Sequence, residues 1–162
     1  MHIGLAKLAA GMQGNRQNGL GAATGGRREP VGDLPKTILI VEDDWPLRRL
    51  LSLALRLAGF ITREAENGLE AIRILEWSRP DALVLDLGLP GLDGFAVLDE
   101  IAAHPETSGL PIIIVTGSQE PLTHVRPTCV LRKPVTPNKV VATVEKCLRE
   151  SGVGPTCHFR AD

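Results

Sequence analysis

The chain has 162 residues, 43% hydrophobic and 23% charged, with a net charge of −1. This composition suits one globular domain with tails, and its net charge does not argue for a surface that binds nucleic acid or an anionic membrane. With three Phe, two Trp and no Tyr, the core must come from Leu, Ile, Val and Ala.

The leader, residues 1–36, holds eight of the seventeen glycines, with scattered Gln, Asn and Arg. Such a stretch cannot bury enough surface to offset chain entropy, so it is expected to be disordered. Thr37 to Val41 is an apolar run that ends in Glu42, Asp43 and Asp44, and it reads as the first strand. Asp44 can cap a helix starting at Trp45-Pro46, where proline is tolerated in the first turn. Leu47, Leu50, Leu51, Ala54, Leu55 and Ala58 then follow a helical stripe, stopped by Gly59. Leu53 and Leu57 fall beside that stripe and are expected to widen the core-facing side. An exposed docking face is the alternative.

Phe60 to Arg63 reads as a short edge strand. Asn67-Gly68-Leu69-Glu70 has capping-box spacing with Asn as the cap, and it opens a helix through Trp77 with Ala71, Ile72 and Leu75 inward. Ala82 to Leu85 is a fully apolar strand with Asp86 at its tip, followed by a break at Gly88 and Pro90. Asp93 can cap the next helix, with Phe95, Leu98 and Ala102 buried. Ile112 to Val115 is a strand ending in Thr116. Gly117 to Thr128, with Pro121 and Pro127, has room for at most one or two helical turns. Val130-Leu131 is the last strand, followed by Arg132 and Lys133. Thr136 and Pro137 open a final helix with Val140, Val141, Val144 and Leu148 inward, and a tail runs from 151 to 162.

Strand and helix patterns alternate through residues 37–150. This predicts a doubly wound parallel α/β sheet with helices on both faces, joined by right-handed crossovers. In such sheets ligands sit outside the carboxyl ends of the strands. Glu42, Asp43, Asp86, Thr116 and Lys133 all follow strand ends, so they should converge. Clustered carboxylates repel unless a cation neutralises them, and Mg²⁺ is the natural hard ion for oxygen ligands. Asp43, Asp86 and the Gly88 carbonyl are the expected direct ligands. Glu42 would act through water, and Lys133 would pair with Asp86. The arrangement can activate Asp86 as a nucleophile toward phosphorus. Thr116 would hydrogen-bond the phosphoryl group.

Cys129, Cys147 and Cys157 are odd in number and lack C-x-x-C spacing, so they read as reduced thiols in a cytoplasmic protein. No run approaches the ~20 apolar residues of a membrane span.

Ile38-Leu39-Ile40-Val41-Glu42-Asp43-Asp44, Leu85-Asp86-Leu87-Gly88-Leu89-Pro90-Gly91-Leu92-Asp93-Gly94, Val115-Thr116-Gly117 and Lys133-Pro134 together resemble a two-component response regulator receiver domain, CheY-like, over residues 37–150. The resemblance implies a flavodoxin-like, three-layer α/β/α fold with strand order 2-1-3-4-5. It implies Asp86 as phosphoacceptor, Glu42 and Asp43 as the acidic pair, Thr116 and Lys133 as the switch pair, and a cis bond before Pro134. Two features depart from the family pattern. Thr116 and Lys133 lie closer in sequence than usual, and Val130 stands where the family has a switch aromatic.

The expected function is that of a stand-alone receiver, because only residues 151–162 follow the last helix. It would take a phosphoryl group from a sensor histidine kinase or a histidine phosphotransfer protein and switch binding to a downstream protein, without nucleic-acid binding or membrane insertion. It is not expected to be an enzyme beyond Mg²⁺-dependent self-phosphorylation and autodephosphorylation. The alternative is an interaction module that works without phosphorylation.

Overall fold

Five parallel strands form the sheet, in the order β2-β1-β3-β4-β5. The structure is a computed structural model, and it describes residues 34–91, 94–117 and 127–151. In chain order the elements are β1 (Thr37–Val41), α1 (Trp45–Leu57), β2 (Ile61–Ala65), α2 (Gly68–Trp77), β3 (Ala82–Leu85), α3 (Gly94–Ala103), β4 (Ile112–Thr116), β5 (Cys129–Arg132) and α4 (Pro137–Ser151). This is the doubly wound parallel α/β sheet anticipated from the alternating pattern, with the flavodoxin-like strand order that the family resemblance implied. The leader and tail assignments lie almost wholly outside the described residues, as does the 118–126 part of the proline-containing segment.

Successive residues of a strand face opposite sides of a sheet, so a strand covered on both sides must be apolar throughout. Leu39, Val41, Leu83, Leu85, Ile112 and Ile114 pack on one side against Ala71 and Ile74 of α2 and Val97, Leu98 and Ile101 of α3. Ile38, Ile40, Val84, Ile113, Val115 and Leu131 pack on the other against Leu51 and Leu55 of α1 and Val140, Val144 and Cys147 of α4. Both helix pairs also pack on each other, α1 with α4 and α2 with α3.

Local signals set most boundaries. Asp44 Oδ1 accepts from Leu47 N at 3.0 Å and caps α1. Gly59 has φ 92°, the left-handed conformation that ends the helix with little steric cost. Asn67 Oδ1 accepts from Glu70 N at 2.9 Å. Glu70 reaches back one residue beyond the capping box, accepting from Glu66 N at 2.8 Å. Thr136 precedes α4, and its Oγ1 accepts from Lys139 N at 3.4 Å. The Lys133–Pro134 bond is cis. The Asp93 cap lies outside the described residues.

The helix faces differ from expectation in several places. In α1 the buried residues are Arg48, Leu51, Ser52 and Leu55, whereas Leu50 is 49% exposed and Ala58 is exposed. Leu53 and Leu57 do not widen the core face; they are 55% and 80% exposed. The cause is polar burial that hydropathy does not register. Ser52 Oγ and Thr62 Oγ1 of β2 hydrogen-bond at 2.9 Å, so both can be buried without penalty. In α3, Val97 and Ile101 are buried while Ala102 is exposed and Phe95 half-buried. In α2 and α4, Ile74 and Cys147 take core positions, while Ile72, Leu75, Val141 and Leu148 are half-buried. The expected edge strand at Phe60–Arg63 runs instead from Ile61 to Ala65, because β2 pairs in register along all of β1. Neither Cys129 nor Cys147 is in a disulfide, in line with the reading of these cysteines as reduced thiols.

Gly94 opens α3 against the chain that follows β3. A Cβ there would stand 2.6 Å from the Asp86 carbonyl oxygen and 2.6 Å from Leu87 Cα. Both are backbone atoms, so neither can rotate away. Gly94→Ala should therefore destabilise the fold by about 1–3 kcal/mol despite its better helix propensity. Urea unfolding measures this, and a stability equal to wild type would refute it.

Candidate functional site at the carboxyl end of the sheet

The strand order places β1 and β3 side by side at the centre, where chain direction across the sheet reverses. The acids after those two strands must then meet, because adjacent strands are only ~4.8 Å apart. Asp86 N donates to the Val41 carbonyl at 2.9 Å, extending the pairing past the end of β3. Glu42 N donates to the Ala65 carbonyl at 3.2 Å. One carboxylate oxygen from each of Glu42, Asp43 and Asp86 lies within 4.8 Å of the others. Glu42 and Asp86 are buried, 2% and 7% exposed, while Asp43 is open to solvent.

Lys133 reaches this cluster from β5, two strands away from β3. Its long stem spans the end of β4, where its backbone N donates to the Thr116 carbonyl at 3.0 Å. Its Nζ donates to Asp86 Oδ2 at 2.6 Å and to Glu42 Oε1 and Oε2 at 2.9 and 2.8 Å. Pairing with Asp86 was expected from the sequence; the two bonds to Glu42 were not. Asp86 Oδ1 accepts from Gly88 N at 3.0 Å, so both carboxylate oxygens are oriented. Thr116 is buried at the end of β4. Asp44 is engaged at the helix cap.

Burial pushes the Glu42 carboxyl above its ordinary 4.5, and the ammonium of Lys133 offsets only part of that; Asp86 and Asp43 push it further up. Burial alone would lower the Lys133 ammonium, but its hydrogen bonds to Asp86 and Glu42 outweigh this and hold it above 10.5. The cluster thus keeps one fixed cation against three acids.

The donor set is all oxygen, and it is open to solvent on the Asp43 side. That chemistry fits a hard divalent ion that retains several waters. Protonation of Glu42 competes with any such cation. Mg²⁺ affinity should therefore fall as pH is lowered within the range where an ordinary glutamate stays ionised. Titration followed by Trp45, which is 63% exposed and two residues from Asp43, reads the effect. An affinity flat over that range would contradict it.

Arg48 was missed by sequence reading. It lies 8% exposed on α1. Its Nη1 donates to the carbonyls of Glu42 at 2.5 Å and Asp43 at 3.3 Å. The available signal was an arginine three and seven positions before Leu51 and Leu55, on the same side of the helix.

Among the described residues, no helix is long and apolar enough to cross a membrane. Comparison with known proteins agrees with the geometry. Residues 38–145 match the family model of the response regulator receiver domain. The chain is 34% identical over 124 residues to the phosphate regulon transcriptional regulatory protein PhoB of Pseudomonas aeruginosa, covering 74% of this chain and 54% of that one. The chain thus spans about half the length of the curated relatives it matches. Among solved structures, it is similar to the signal receiver domain of a signal transduction histidine kinase from Syntrophus aciditrophicus, with 28% identity and TM-score 0.67, covering 78% of this chain and 98% of that one. A CheY-like response regulator receiver domain protein from Methanospirillum hungatei is similar at 25% identity and TM-score 0.67, covering 74% and 98%. The chain belongs to the response regulator receiver domain family of two-component phosphorelay signalling.

Proposed function

We propose that Asp86 accepts a phosphoryl group from the phosphohistidine of a sensor histidine kinase or a histidine phosphotransfer protein, and that the phosphorylated form binds a downstream protein differently. The observation that carries this reading is the convergence of Asp86, Glu42, Asp43 and Lys133 at one end of the sheet. In the transfer, an Asp86 oxygen attacks phosphorus as the P–N bond to the donor imidazole breaks. The electron pair of that bond leaves with the imidazole nitrogen.

Asp43, Asp86 and the Gly88 carbonyl would hold Mg²⁺, with Glu42 acting through water. When bound, the ion supplies positive charge to the transferring phosphoryl oxygens. Lys133, bonded to Asp86 Oδ2, supplies a second positive charge. Gly88 leaves the approach to Asp86 uncluttered, since even a Cβ there would come no nearer than 3.6 Å to Oδ1. Thr116, at the neighbouring strand end, would donate a hydrogen bond to the bound phosphoryl group and so report its arrival. The protein acts as a cytoplasmic signalling receiver, turning over only its own acyl phosphate and no external substrate.

The relatives include proteins named as transcriptional or DNA-binding regulators. A match to about half their length does not carry DNA binding to this chain, and its net charge of −1 gives that no support. We read the partners as proteins.

Val130 favours a second reading. It is half-buried against the core side under α2 and α3, without the aromatic ring that couples phosphorylation to output in the family. An interaction module independent of phosphorylation would have no need of that ring. Incubation with Mg²⁺ and acetyl phosphate separates the two. The first reading expects a gain of one phosphoryl mass that depends on Mg²⁺; an unchanged mass would leave only the second.

A further inference from the structure

We infer that Arg48 is a positioning residue for the metal ligands, holding the turn after β1 so that Glu42 and Asp43 present their carboxylates toward Asp86. This rests on the function proposed above, but the hold itself is visible without any ion.

The turn between β1 and α1 has a difficult task. It must keep two successive acids near a third, although all three repel. The carbonyls of Glu42 and Asp43 lie outside the regular pairing of β1, and both accept from a single Arg48 nitrogen, Nη1, at 2.5 and 3.3 Å. The other side of the guanidinium faces acids of β2 and the residue after it, with Nε 3.9 Å from Glu64 and Nη2 4.0 Å from Glu66. The Arg48 side chain is 9% exposed, so these contacts are made with little competition from water. A planar guanidinium has donors in a fixed fork and can serve a carbonyl pair on one edge and carboxylates on the other. A lysine ammonium is a single nitrogen on a shorter stem, and it has no second edge to set toward the acids of β2 while it serves the carbonyls. Arg48 also brings a positive charge close to the acidic turn through the backbone carbonyls, while the Glu42 carboxylate is bonded by Lys133 instead.

Neighbouring Arg49 provides the control. It is half-exposed and pairs with Glu64 at 2.9 Å, away from the turn carbonyls. Arg48→Met keeps the apolar stem and removes the fork; Arg48→Lys keeps the charge and removes the planar fork that faces the carbonyls and the β2 acids at once; Arg49→Met removes a charge from the same helix. Mg²⁺ affinity of the full chain is read by Trp45 fluorescence. Amide hydrogen exchange of residues 42–45 is read in metal-free protein, with β3 amides as reference.

Arg48→Met should lower Mg²⁺ affinity roughly tenfold or more, the scale seen when a group supporting a metal ligand is lost. It should speed exchange in the turn while β3 stays protected. Arg48→Lys should restore stability but not affinity, and Arg49→Met should change neither affinity nor turn exchange. A variant that only lowers the melting temperature, with affinity and turn exchange as in wild type, overturns the proposal. If Arg48→Met does not fold, Arg48→Lys decides by the same two readouts. If wild-type protein binds no Mg²⁺, the functional reading falls, and turn exchange still decides the role of Arg48: unchanged exchange in the variants refutes it.

Discussion

Asp86→Asn should take up no phosphoryl group from acetyl phosphate while remaining as stable as wild type, or more so. The loss is complete because a carboxamide oxygen is a poor nucleophile toward phosphorus and cannot form the acyl phosphate. The stability expectation follows from the charges. Asp86 is one of the groups that push the Glu42 carboxyl upward. Removing its charge relieves a repulsion inside a buried cluster, which offsets the loss of one acceptor: an asparagine of the same shape still offers Lys133 an oxygen, but its amide nitrogen then faces the Gly88 N–H. Mg²⁺ affinity should fall as well, since one of three carboxylates is gone. Mass spectrometry, urea unfolding and a Trp45 titration measure the three effects. A variant that still gains phosphoryl mass would move the acceptor to another residue. A variant that fails to fold would mean that Asp86 is mainly structural.

The second large effect is expected at Lys133. Lys133→Met keeps most of the stem and removes the ammonium that bonds both Glu42 and Asp86. Phosphoryl uptake should slow by roughly a hundredfold, the scale on which losing one preorganised stabilising group acts. The fold should lose about 1–3 kcal/mol at neutral pH, because Glu42, 2% exposed, is left without its cation. That cost shrinks as pH falls and Glu42 takes a proton. At the alkaline end the sign comes from Lys133 itself. Its ammonium is held above 10.5 in the fold, so its contribution is whole below that value and is lost as pH rises through the higher folded one. The stability gap between wild type and Lys133→Met should therefore be widest from neutral to mildly alkaline pH and close at both extremes. Urea unfolding across pH tests this, and a constant gap would refute the pairing as its cause.

Much of the site was legible because it is built from strand ends. In a parallel sheet every strand finishes at the same edge, so a polar residue just after an apolar run has its position settled by topology alone. Asp86, Glu42, Asp43 and Lys133 were found in that way. The caps at Asp44, Asn67 and Thr136 were legible for a different reason: their bonds close within three residues.

The helix faces were less legible. Leu50 and Ala58 belong to the apolar stripe of α1 by spacing, yet both are exposed, and Arg48 and Ser52 are buried in the neighbouring positions. Nothing near Ser52 in sequence announces Thr62, ten positions away on β2, as its partner. The same holds for the bonds from Lys133 to Glu42, ninety-one positions apart.

By itself the sequence determined the alternation of strands and helices, the caps and the strand-end acids, because each depends on hydropathy period or on bonds between near neighbours. Only the tertiary structure decided which face of α1 is buried, that Arg48 holds the acidic turn, and that one ammonium serves two carboxylates. These depend on polar groups brought together from separate strands, where a buried donor is tolerated only if the fold supplies its acceptor.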